Sequence, residues 1–258
     1  MTIRIAHLSD IHFGGEDKPA VEAAIDELNR FAPDLTVVTG DVTLNGLPEE
    51  FRAARDWLHR LPQPLLITPG NHDTPYWNLL LRALVPFERY ERFIGPASAS
   101  AYDAPGLSAR TLNSARGAQP RPDWSKGAID MNRLTMLGWS SAPALKVFGC
   151  HHPLIDIPHA PVTGHTRGGR AAAAMLAEQR VELVLTGHVH IPFAMPLPEA
   201  PWACYALGAG TLSLRTRGTP ASFSTIVAES AVFEVSVHGW VDGRFEILET
   251  RRLIRGGG

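Results

Sequence analysis

Side chains that can bind metal ions or move protons are concentrated at five short sites along the chain. These sites are Asp10-x-His12, Gly40-Asp41, Gly70-Asn71-His72-Asp73, His151-His152-Pro153 and Gly187-His188-x-His190. Each site follows an apolar run, and ionisable or amide side chains are costly in a core unless they are paired or bind a ligand. Imidazole and carboxylate ligands suit Mn, Fe, Co, Ni or Zn, whereas the lack of a thiolate among them disfavours structural zinc and iron–sulfur clusters.

The candidate ligands are too many for a single four-coordinate ion. They are Asp10, His12, Asp41, Asn71, His151, His188 and His190. This set suits two ions about 3.5–4 Å apart that share one carboxylate. Residues two apart in an extended segment point to the same side, so both side chains of an Asp-x-His or His-x-His motif can face one ion. Gly40, Gly70 and Gly187 each let the backbone turn sharply just before a ligand.

The segments that must position these residues alternate between strand-like and helix-like patterns. Apolar or β-branched runs predict buried strands over 3–10, 34–41 and 64–73, and helical spacing predicts helices over 20–31 and 48–61. A β-α-β-α-β order implies parallel strands joined by right-handed crossovers. Because parallel strands bring their C-terminal ends to one edge of a sheet, we expect the motifs to converge there.

The rest of the chain continues this pattern and then changes. Residues 76–95 predict helix broken at Pro86, and their large apolar side chains are expected to form core or a dimer contact rather than a cap over substrate. Further along, the patterns predict a strand and loop over 106–117, a short helix over 128–139, strands over 144–153 and 181–190, and a helix over 168–180. After about residue 201, short β runs without helices between them predict antiparallel strands that complete a second sheet.

Bulk composition is typical of an ordinary globular protein. The chain has 258 residues, of which 45% are hydrophobic and 19% charged, and its net charge of −2 offers no basic field for nucleic acid. No apolar run approaches the roughly 18 residues of a membrane span, and the first ten residues lack the apolar core of a signal peptide. The isolated Cys150 and Cys204 are expected to be buried free thiols, which fits a cytoplasmic location.

Taken in order, the five motifs resemble the calcineurin-like metallophosphoesterase superfamily. The resemblance covers about residues 3–190, and the stretches SDIHFG, GDVTLNG and GNHD are closest to the bacterial cyclic-nucleotide phosphodiesterase-like branch. It implies a four-layer α-β-β-α sandwich of two mixed sheets flanked by helices, with a dinuclear metal site at the C-terminal edge of the strands. It also implies one metallophosphoesterase domain over 1–258, in which the strands of about 201–250 complete the second sheet.

The resemblance further implies a division of the ligands between two divalent or mixed-valence ions, such as Mn, Fe or Zn. Asp10, His12, Asp41 and His190 would hold the first ion; Asp41, Asn71, His151 and His188 would hold the second, with Asp41 bridging. A metal-bridging hydroxide would attack phosphorus. His72 would stabilise the transition state or protonate the leaving alkoxide, and Asp73 would orient His72 or a ligand, or cap a helix.

Several other polar residues have open roles. His152 either supports a ligand or contacts substrate. The remaining residues either line the pocket or belong to ordinary turns and exposed loops: His159, His165, Arg167, Arg170, Asn113 and Arg116. Arginine in such a position suits bidentate contact with phosphate.

The function predicted from the sequence is hydrolysis of small phosphodiesters, such as cyclic nucleotides, by a protein that could form a homo-oligomer. The alternative is a pyrophosphate hydrolase of the UDP-diacylglucosamine type, whose acylated substrate favours a long apolar insertion that only residues 75–95 could supply. A phosphomonoesterase is less favoured. A non-catalytic scaffold is also less favoured, because every motif position is occupied. No nucleic-acid partner and no membrane span are expected.

Overall fold

The computed structural model describes residues 1–142, 144–158, 160, 166–198, 200 and 203–256. The strands in this part of the chain are β1 (Ile3–Leu8), β2 (Leu35–Val38), β3 (Leu65–Ile67), β4 (Ala99–Ala104), β5 (Leu107–Leu112), β6 (Leu145–Gly149), β7 (Leu183–Thr186), β8 (Phe193–Pro196), β9 (Tyr205–Gly208), β10 (Ser222–Ala228), β11 (Val232–Val241) and β12 (Arg244–Ile254). The helices are α1 (Lys18–Phe31), α2 (Pro48–Leu58), α3 (Leu79–Leu84), α4 (Glu88–Phe93), α5 (Met131–Thr135) and α6 (Gly169–Glu178).

The strands form two six-stranded mixed sheets. The first sheet has the order β12-β11-β10-β1-β2-β3, in which β1, β2 and β3 are parallel and β10, β11 and β12 form antiparallel pairs. The second has the order β4-β5-β6-β7-β9-β8, in which β5, β6, β7 and β9 are parallel between antiparallel edge strands. Both sheets therefore present several parallel strand ends at one edge.

Side-chain alternation along the strands builds three apolar layers. In β1, Ile3 and Ile5 lie in the cluster between the two sheets, and Leu8 lies in the cluster under α1 and α2. In β6, Val147 faces the other sheet, whereas Phe148 packs in the cluster under α6. The predicted four-layer sandwich of two mixed sheets flanked by helices is confirmed.

Two carboxylates hold the segments that follow the first two motifs. Asp17 begins α1, and its side chain accepts a hydrogen bond from the N–H of Ala20. Glu50, near the start of α2, is buried and accepts from the backbone N–H groups of Asn45 and Leu47 at 2.8 and 3.1 Å. Glu50 therefore fixes the loop that leads from the end of β2 into α2.

The expectation that the late strands complete a second sheet was wrong for β10, β11 and β12. These strands extend the first sheet, because β10 pairs antiparallel with β1, with Ile5 opposite Ile226. The first β-α-β units cover only one side of β1 and leave its other edge open, so an antiparallel strand can pair there. Of the late strands, β9 does join the second sheet, but it runs parallel to β7. The division of the chain into one domain stays a prediction.

The segment before and after Pro86 forms α3 and α4, as predicted. Its apolar side chains are only partly packed: Tyr90 is buried, but a run of large apolar residues lies in solvent. We call this run the exposed apolar cluster, and it consists of Tyr76, Trp77, Leu79, Leu80, Leu84 and Val85. The expected core role is therefore wrong for these residues, whereas a dimer contact and a cap over substrate stay predictions.

Two further expectations can be compared with the structure. Cys150 and Cys204 are free and buried, as predicted. In the part of the chain that is described, no helix is long and apolar enough to cross a membrane.

Candidate metal centre

Six of the predicted ligands, all but the amide Asn71, fall into small groups of residues that could hold a metal ion. Within each group the potential ligand atoms lie within 4.8 Å of one another. The groups are Asp10 with His12 and His190; Asp10 with Asp41 and His151; His12 with Asp41 and His72; and His151 with His152 and His188. Because the groups share members, they form one continuous centre rather than separate sites.

Both sheets contribute to this centre. Asp10 and His12 follow β1, Asp41 follows β2 and Asn71 follows β3, all in the first sheet; His151 follows β6, and His188 and His190 follow β7 in the second. The centre therefore lies where the C-terminal ends of parallel strands from two packed sheets meet.

The backbone at the centre is strained in an unusual way. Asp10, His12, Asp41, His188 and His190 all have positive φ, between 51° and 70°. Non-glycine residues rarely adopt this conformation, and such residues cluster at functional sites, at about 1–3 kcal/mol each. The surrounding fold must therefore hold these five residues in place.

Two glycines allow the strand ends to approach each other. Gly40 has φ of 91°, and a Cβ there would lie 2.8 Å from Nδ1 of His151. A Cβ at Gly187 would overlap Oγ of Ser9 and lie 2.5 Å from Oδ2 of Asp10. Gly187 is not among the residues with positive φ, so close approach rather than a sharp turn explains this glycine.

The first predicted ligand set is compact. Nε2 of His190 lies 3.1 Å from Oδ1 of Asp10, and Nε2 of His12 lies 3.2 Å from Nε2 of His190. Oδ2 of Asp41 is 3.9 Å from Nε2 of His12 and 3.2 Å from Nε2 of His151. Asp41 thus stands between the two predicted ligand sets, as a bridging carboxylate must.

Hydrogen bonds to the backbone orient three of the histidines. Nδ1 of His12, His151 and His190 lies 3.2, 2.7 and 2.8 Å from the carbonyl oxygens of Thr43, Thr39 and Arg215, respectively. A carbonyl only accepts, so each Nδ1 carries the proton and each Nε2 turns its lone pair toward the centre. The facing Nε2 atoms of His12 and His190 are then two acceptors without a proton between them, an arrangement that a cation resolves.

Unpaired buried atoms point to the same conclusion. Oδ1 of Asp10, Oδ1 of Asn71 and Nε2 of His151 are buried and have no hydrogen-bond partner among the described residues. Buried polar atoms are nearly always satisfied, so three such atoms at one centre need an explanation. The residues present therefore fit a pair of metal ions by both donor chemistry and orientation.

Burial and charge set the protonation of the ligands. Burial lowers the pKa of His12 and of His188 to about 3, which keeps both imidazoles neutral and able to ligate. Burial alone would raise the pKa of Asp41, but attraction to His151 and to His72 holds it well below its usual range. Burial alone would lower the pKa of His151, but attraction to Asp41 raises it to about 9. Without a cation, that raised pKa places a second proton on His151, at the Nε2 that faces Asp41. A bound cation would take the place of this proton, and Nε2 would then present its lone pair to the cation.

His72 lies at the rim of the centre. Its ring meets that of His12 edge-on, with 4.8 Å between the ring centroids, and its backbone N–H donates to Oδ1 of Asp41 at 2.7 Å. Nδ1 donates to the carbonyl of Leu44 at 2.6 Å, and Nε2 lies 3.1 Å from Nη1 of Arg215. A guanidinium only donates, so Nε2 of His72 accepts from Arg215.

Asp73 is fully buried, and its carboxylate bonds to groups in two loops instead of facing the place where a substrate would lie. Its carboxylate accepts from the backbone N–H groups of Gly70 and Thr43, each at 2.9 Å, from the hydroxyl of Thr43 at 2.9 Å and from the N–H of Val42 at 3.3 Å. Burial, and then repulsion by Asp41, raise the pKa of Asp73 to about 7. These contacts favour a positioning role over the predicted catalytic one, and Asp73 caps no helix.

Among the residues with open roles, His152 is held by hydrogen bonds at both ring nitrogens. His152 is buried; Nδ1 accepts from Oγ of Ser114 at 2.9 Å and Nε2 donates to the carbonyl of Ser125 at 2.7 Å. Both ring nitrogens are therefore used in hydrogen bonds, so neither is available to an ion, even though His152 lies close enough to His151 and His188 to be grouped with them. His152 instead supports these two neighbouring histidines.

Asn113 and Arg116 flank Ser114 and line a neighbouring cavity of about 340 Å³ with Asp130 and Arg133. Arg167 is exposed and its backbone pairs with the segment at Ala128, and the exposed Arg170 lies 3.5 Å from Asp156. His159 and His165 lie outside the described residues. A role for any of these residues at the centre stays a prediction.

Sequence reasoning missed Arg215 and its neighbour Arg217. The backbone oxygen of Arg215 accepts from His190, and its guanidinium reaches His72. The signal that could have found them is the loop LSLRTRG after β9. Because β9 runs parallel to β7, this loop starts at the same edge of the sheet as the loop that carries His188 and His190. Because 202–210 was interpreted as an antiparallel strand, the loop that follows it was not expected at the centre.

Comparison with known proteins agrees with this geometry. The family described as calcineurin-like phosphoesterase matches residues 3–192. A probable cyclic nucleotide phosphodiesterase of Synechococcus sp. is 27% identical over 206 residues, which is 75% of each chain. A probable glycerophosphodiester phosphodiesterase of Arcobacter nitrofigilis is 32% identical over 166 residues, which is 61% of this chain and 57% of that one. The match therefore spans less than two thirds of the Arcobacter relative.

The fold is also similar to solved structures. The crystal structure of a dimetal phosphatase from Danio rerio aligns with a TM-score of 0.65 at 12% identity, over 98% of both chains. These findings confirm the resemblance predicted from the motifs, including its bacterial phosphodiesterase-like branch.

Proposed function

The chain belongs to the calcineurin-like phosphoesterase family, and we propose that it hydrolyses small phosphodiesters such as cyclic nucleotides. As a family member it is a metal-dependent hydrolase of phosphoric esters. The diester preference is supported by the two relatives above, both of which are named as phosphodiesterases. The free buried cysteines fit the cytoplasmic location that we propose for it.

One observation carries the proposal. The Nε2 lone pairs of His12, His151 and His190 converge on the carboxylates of Asp10 and Asp41, and backbone carbonyls fix each ring in that orientation. A scaffold protein on this fold would have no need to keep such a strained and desolvated set of ligands. Two divalent ions bound here would supply Lewis acidity and activate water for attack on phosphorus.

The residues of the chain would then position the substrate and stabilise charge. Because Nδ1 of His72 carries the proton and donates a hydrogen bond to the backbone oxygen of Leu44, Nε2 has no proton to give to a leaving alkoxide. Of the two roles expected for His72, stabilisation of the transition state is then open to it only indirectly, through the guanidinium of Arg215 that Nε2 holds. Asp73 would hold the loops of Asp41 and Asn71 at the distance that the shared centre requires.

The test is steady-state hydrolysis of bis-p-nitrophenyl phosphate, a diester, against p-nitrophenyl phosphate, a monoester. Metal-stripped protein is reloaded with Mn²⁺, and Asn71→Ala and His72→Ala are assayed beside wild type. His59→Ala, an exposed change at the end of α2, is the matched control. We expect a clear diester preference and a loss of about a hundredfold or more in the two site variants. Metal content measured by mass spectrometry should fall in Asn71→Ala and stay unchanged in His72→Ala.

Preference for the monoester would make the protein a phosphatase and would overturn the proposed substrate class. Equal activity in wild type and both site variants would overturn the site itself.

A pyrophosphate hydrolase of the UDP-diacylglucosamine type is the second candidate. The exposed apolar cluster favours it, because the ring of Tyr76 is parallel to that of His72, with 6.4 Å between the centroids, so the cluster begins beside the centre. Trp77, next to Tyr76, is 75% exposed and could contact an acyl chain. Turnover of a lipid pyrophosphate together with no turnover of either p-nitrophenyl ester would select this function.

A further inference from the structure

The loop after β9 is attached to the metal centre at two points. The hydroxyl of Thr211 donates to the backbone oxygen of Asp10, and the backbone oxygen of Arg215 accepts from Nδ1 of His190 at 2.8 Å. Between them, Oγ of Ser213 lies 2.7 Å from the Thr211 hydroxyl and accepts from the N–H of Arg215 at 3.2 Å. This loop is therefore a fixed platform beside the first ligand set.

The platform projects Arg215 toward the rim of the centre. Its Nη1 lies 3.1 Å from Nε2 of His72, the acceptor described above. A single bond from one nitrogen leaves other N–H groups of the guanidinium free to bind, since arginine carries five donors in a planar fork. The side chain is also exposed, so a ligand above the metals can reach it.

Arg217 stands on the same loop and lacks a partner. Its Nη1 is excluded from solvent and has no hydrogen-bond acceptor among the described residues. Burial, and then repulsion by Arg215, lower the pKa of Arg217, whereas Asp10 attracts it. Arg217 is therefore within electrostatic reach of both Arg215 and Asp10. Two other arginines, Arg60 and Arg255, are by contrast bonded to carboxylates.

We propose that Arg215 and Arg217 form the phosphoryl-anion subsite of this centre and bind oxygens of the substrate's phosphate group that the metals do not hold. The guanidinium fork matches the geometry of phosphoryl oxygens and binds them in pairs. An anion between the two arginines would relieve their repulsion and satisfy the buried Nη1 of Arg217. His72 is then a positioning residue that holds Arg215 in place. This proposal rests on the phosphoesterase function above.

Binding of inorganic phosphate, the probe, is measured by calorimetry on protein loaded with Mn²⁺. The variants are Arg215→Gln and Arg217→Gln, which remove the charge and keep some side-chain length. Arg244→Gln is the control, since Arg244 is exposed and pairs with Glu246 at the β11–β12 turn. We expect the Kd for phosphate to rise about tenfold or more in each site variant, with metal content unchanged. Arg215→Lys, which keeps the charge but loses the fork, should lie between Arg215→Gln and wild type.

Kinetics with bis-p-nitrophenyl phosphate give a second readout. KM should rise in both site variants, and kcat should fall further in Arg215→Gln than in Arg217→Gln, because Arg215 touches His72. Unchanged Kd and KM in both variants, or no phosphate binding by wild type, would overturn the subsite. Loss of metal from the variants would also overturn it, because the arginines would then act on the ligands. If wild type binds phosphate through these arginines but hydrolyses no diester, the subsite stands and the proposed substrate class fails.

Discussion

Replacing Asp73 by Ala should destabilise the protein and disperse the metal ligands without removing a group that touches substrate. The carboxylate joins the loop after β2 to the loop after β3, and these loops carry Asp41 and Asn71. Its loss leaves the backbone N–H groups of Thr43, Gly70 and Val42 buried without an acceptor, whereas the Thr43 hydroxyl retains the backbone oxygen of His72 as a partner at 3.1 Å.

The magnitude follows from those three orphaned donors. Each buried donor that loses its acceptor costs about 1–3 kcal/mol, or about 5 kcal/mol for the three, since the contact of Val42 is the longest and weakest. Part of this is offset, because the pKa of Asp73, raised to about 7, shows that burying its charge is itself unfavourable. The expected decrease in the free energy of unfolding of the Asp73→Ala variant is therefore about 3 kcal/mol.

The assay is urea denaturation of the metal-free protein at neutral pH, followed by metal content after reloading. Asp34→Ala is the matched control, since its exposed carboxylate accepts one backbone bond, from Arg4 at 2.8 Å, and should lose less than about 1 kcal/mol. An Asp73→Ala protein with wild-type stability and full metal content, but without activity, would refute the positioning role and restore Asp73 as a catalytic residue.

Two further predictions concern close packing at the centre and buried thiols. Gly187→Ala should lower metal content and the melting temperature, because the new Cβ would overlap Oγ of Ser9 and press on Asp10. Mass spectrometry measures the metal content and thermal denaturation the melting temperature. An unchanged metal content would show that the strand ends can separate. Burial raises the pKa of Cys150 above its usual range and that of Cys204 to about 12, so neither thiol should react with Ellman's reagent at pH 8 until the chain is denatured. Rapid reaction of the folded protein would show that one of the thiols is accessible.

The sequence predicted that the candidate ligands lie together because each one follows a strand of a β-α-β unit. In such a unit the order along the chain determines which edge receives the strand ends, so the pattern of residues alone is enough to bring Asp10, Asp41 and Asn71 together. The same reasoning extended to His151 and His188, although they belong to the other sheet. Convergence of the two sheets came from the family resemblance and not from the pattern.

Other features depend on contacts that a pattern does not encode. An antiparallel strand can pair with any open edge, so the sequence could not assign β10 to β1 rather than to the second sheet. Arg215 was missed for a related reason, since its loop reaches the centre only if β9 is parallel to β7. The role of Asp73 depends on which buried N–H groups lack an acceptor, and only the folded backbone shows that.

The pairing of β1 with β10 also has a consequence for synthesis of the protein. The ribosome makes β1 before every other strand described here, and the partner of β1 near Ile226 emerges only after most of them. At ~5–20 residues per second, one edge of β1 lacks its partner for about ten seconds or more. An open apolar edge is a template for aggregation, and closing so long a loop is slow. Because its ligands come from both sheets, the centre can bind its metals only once this late pairing is made and both sheets have docked.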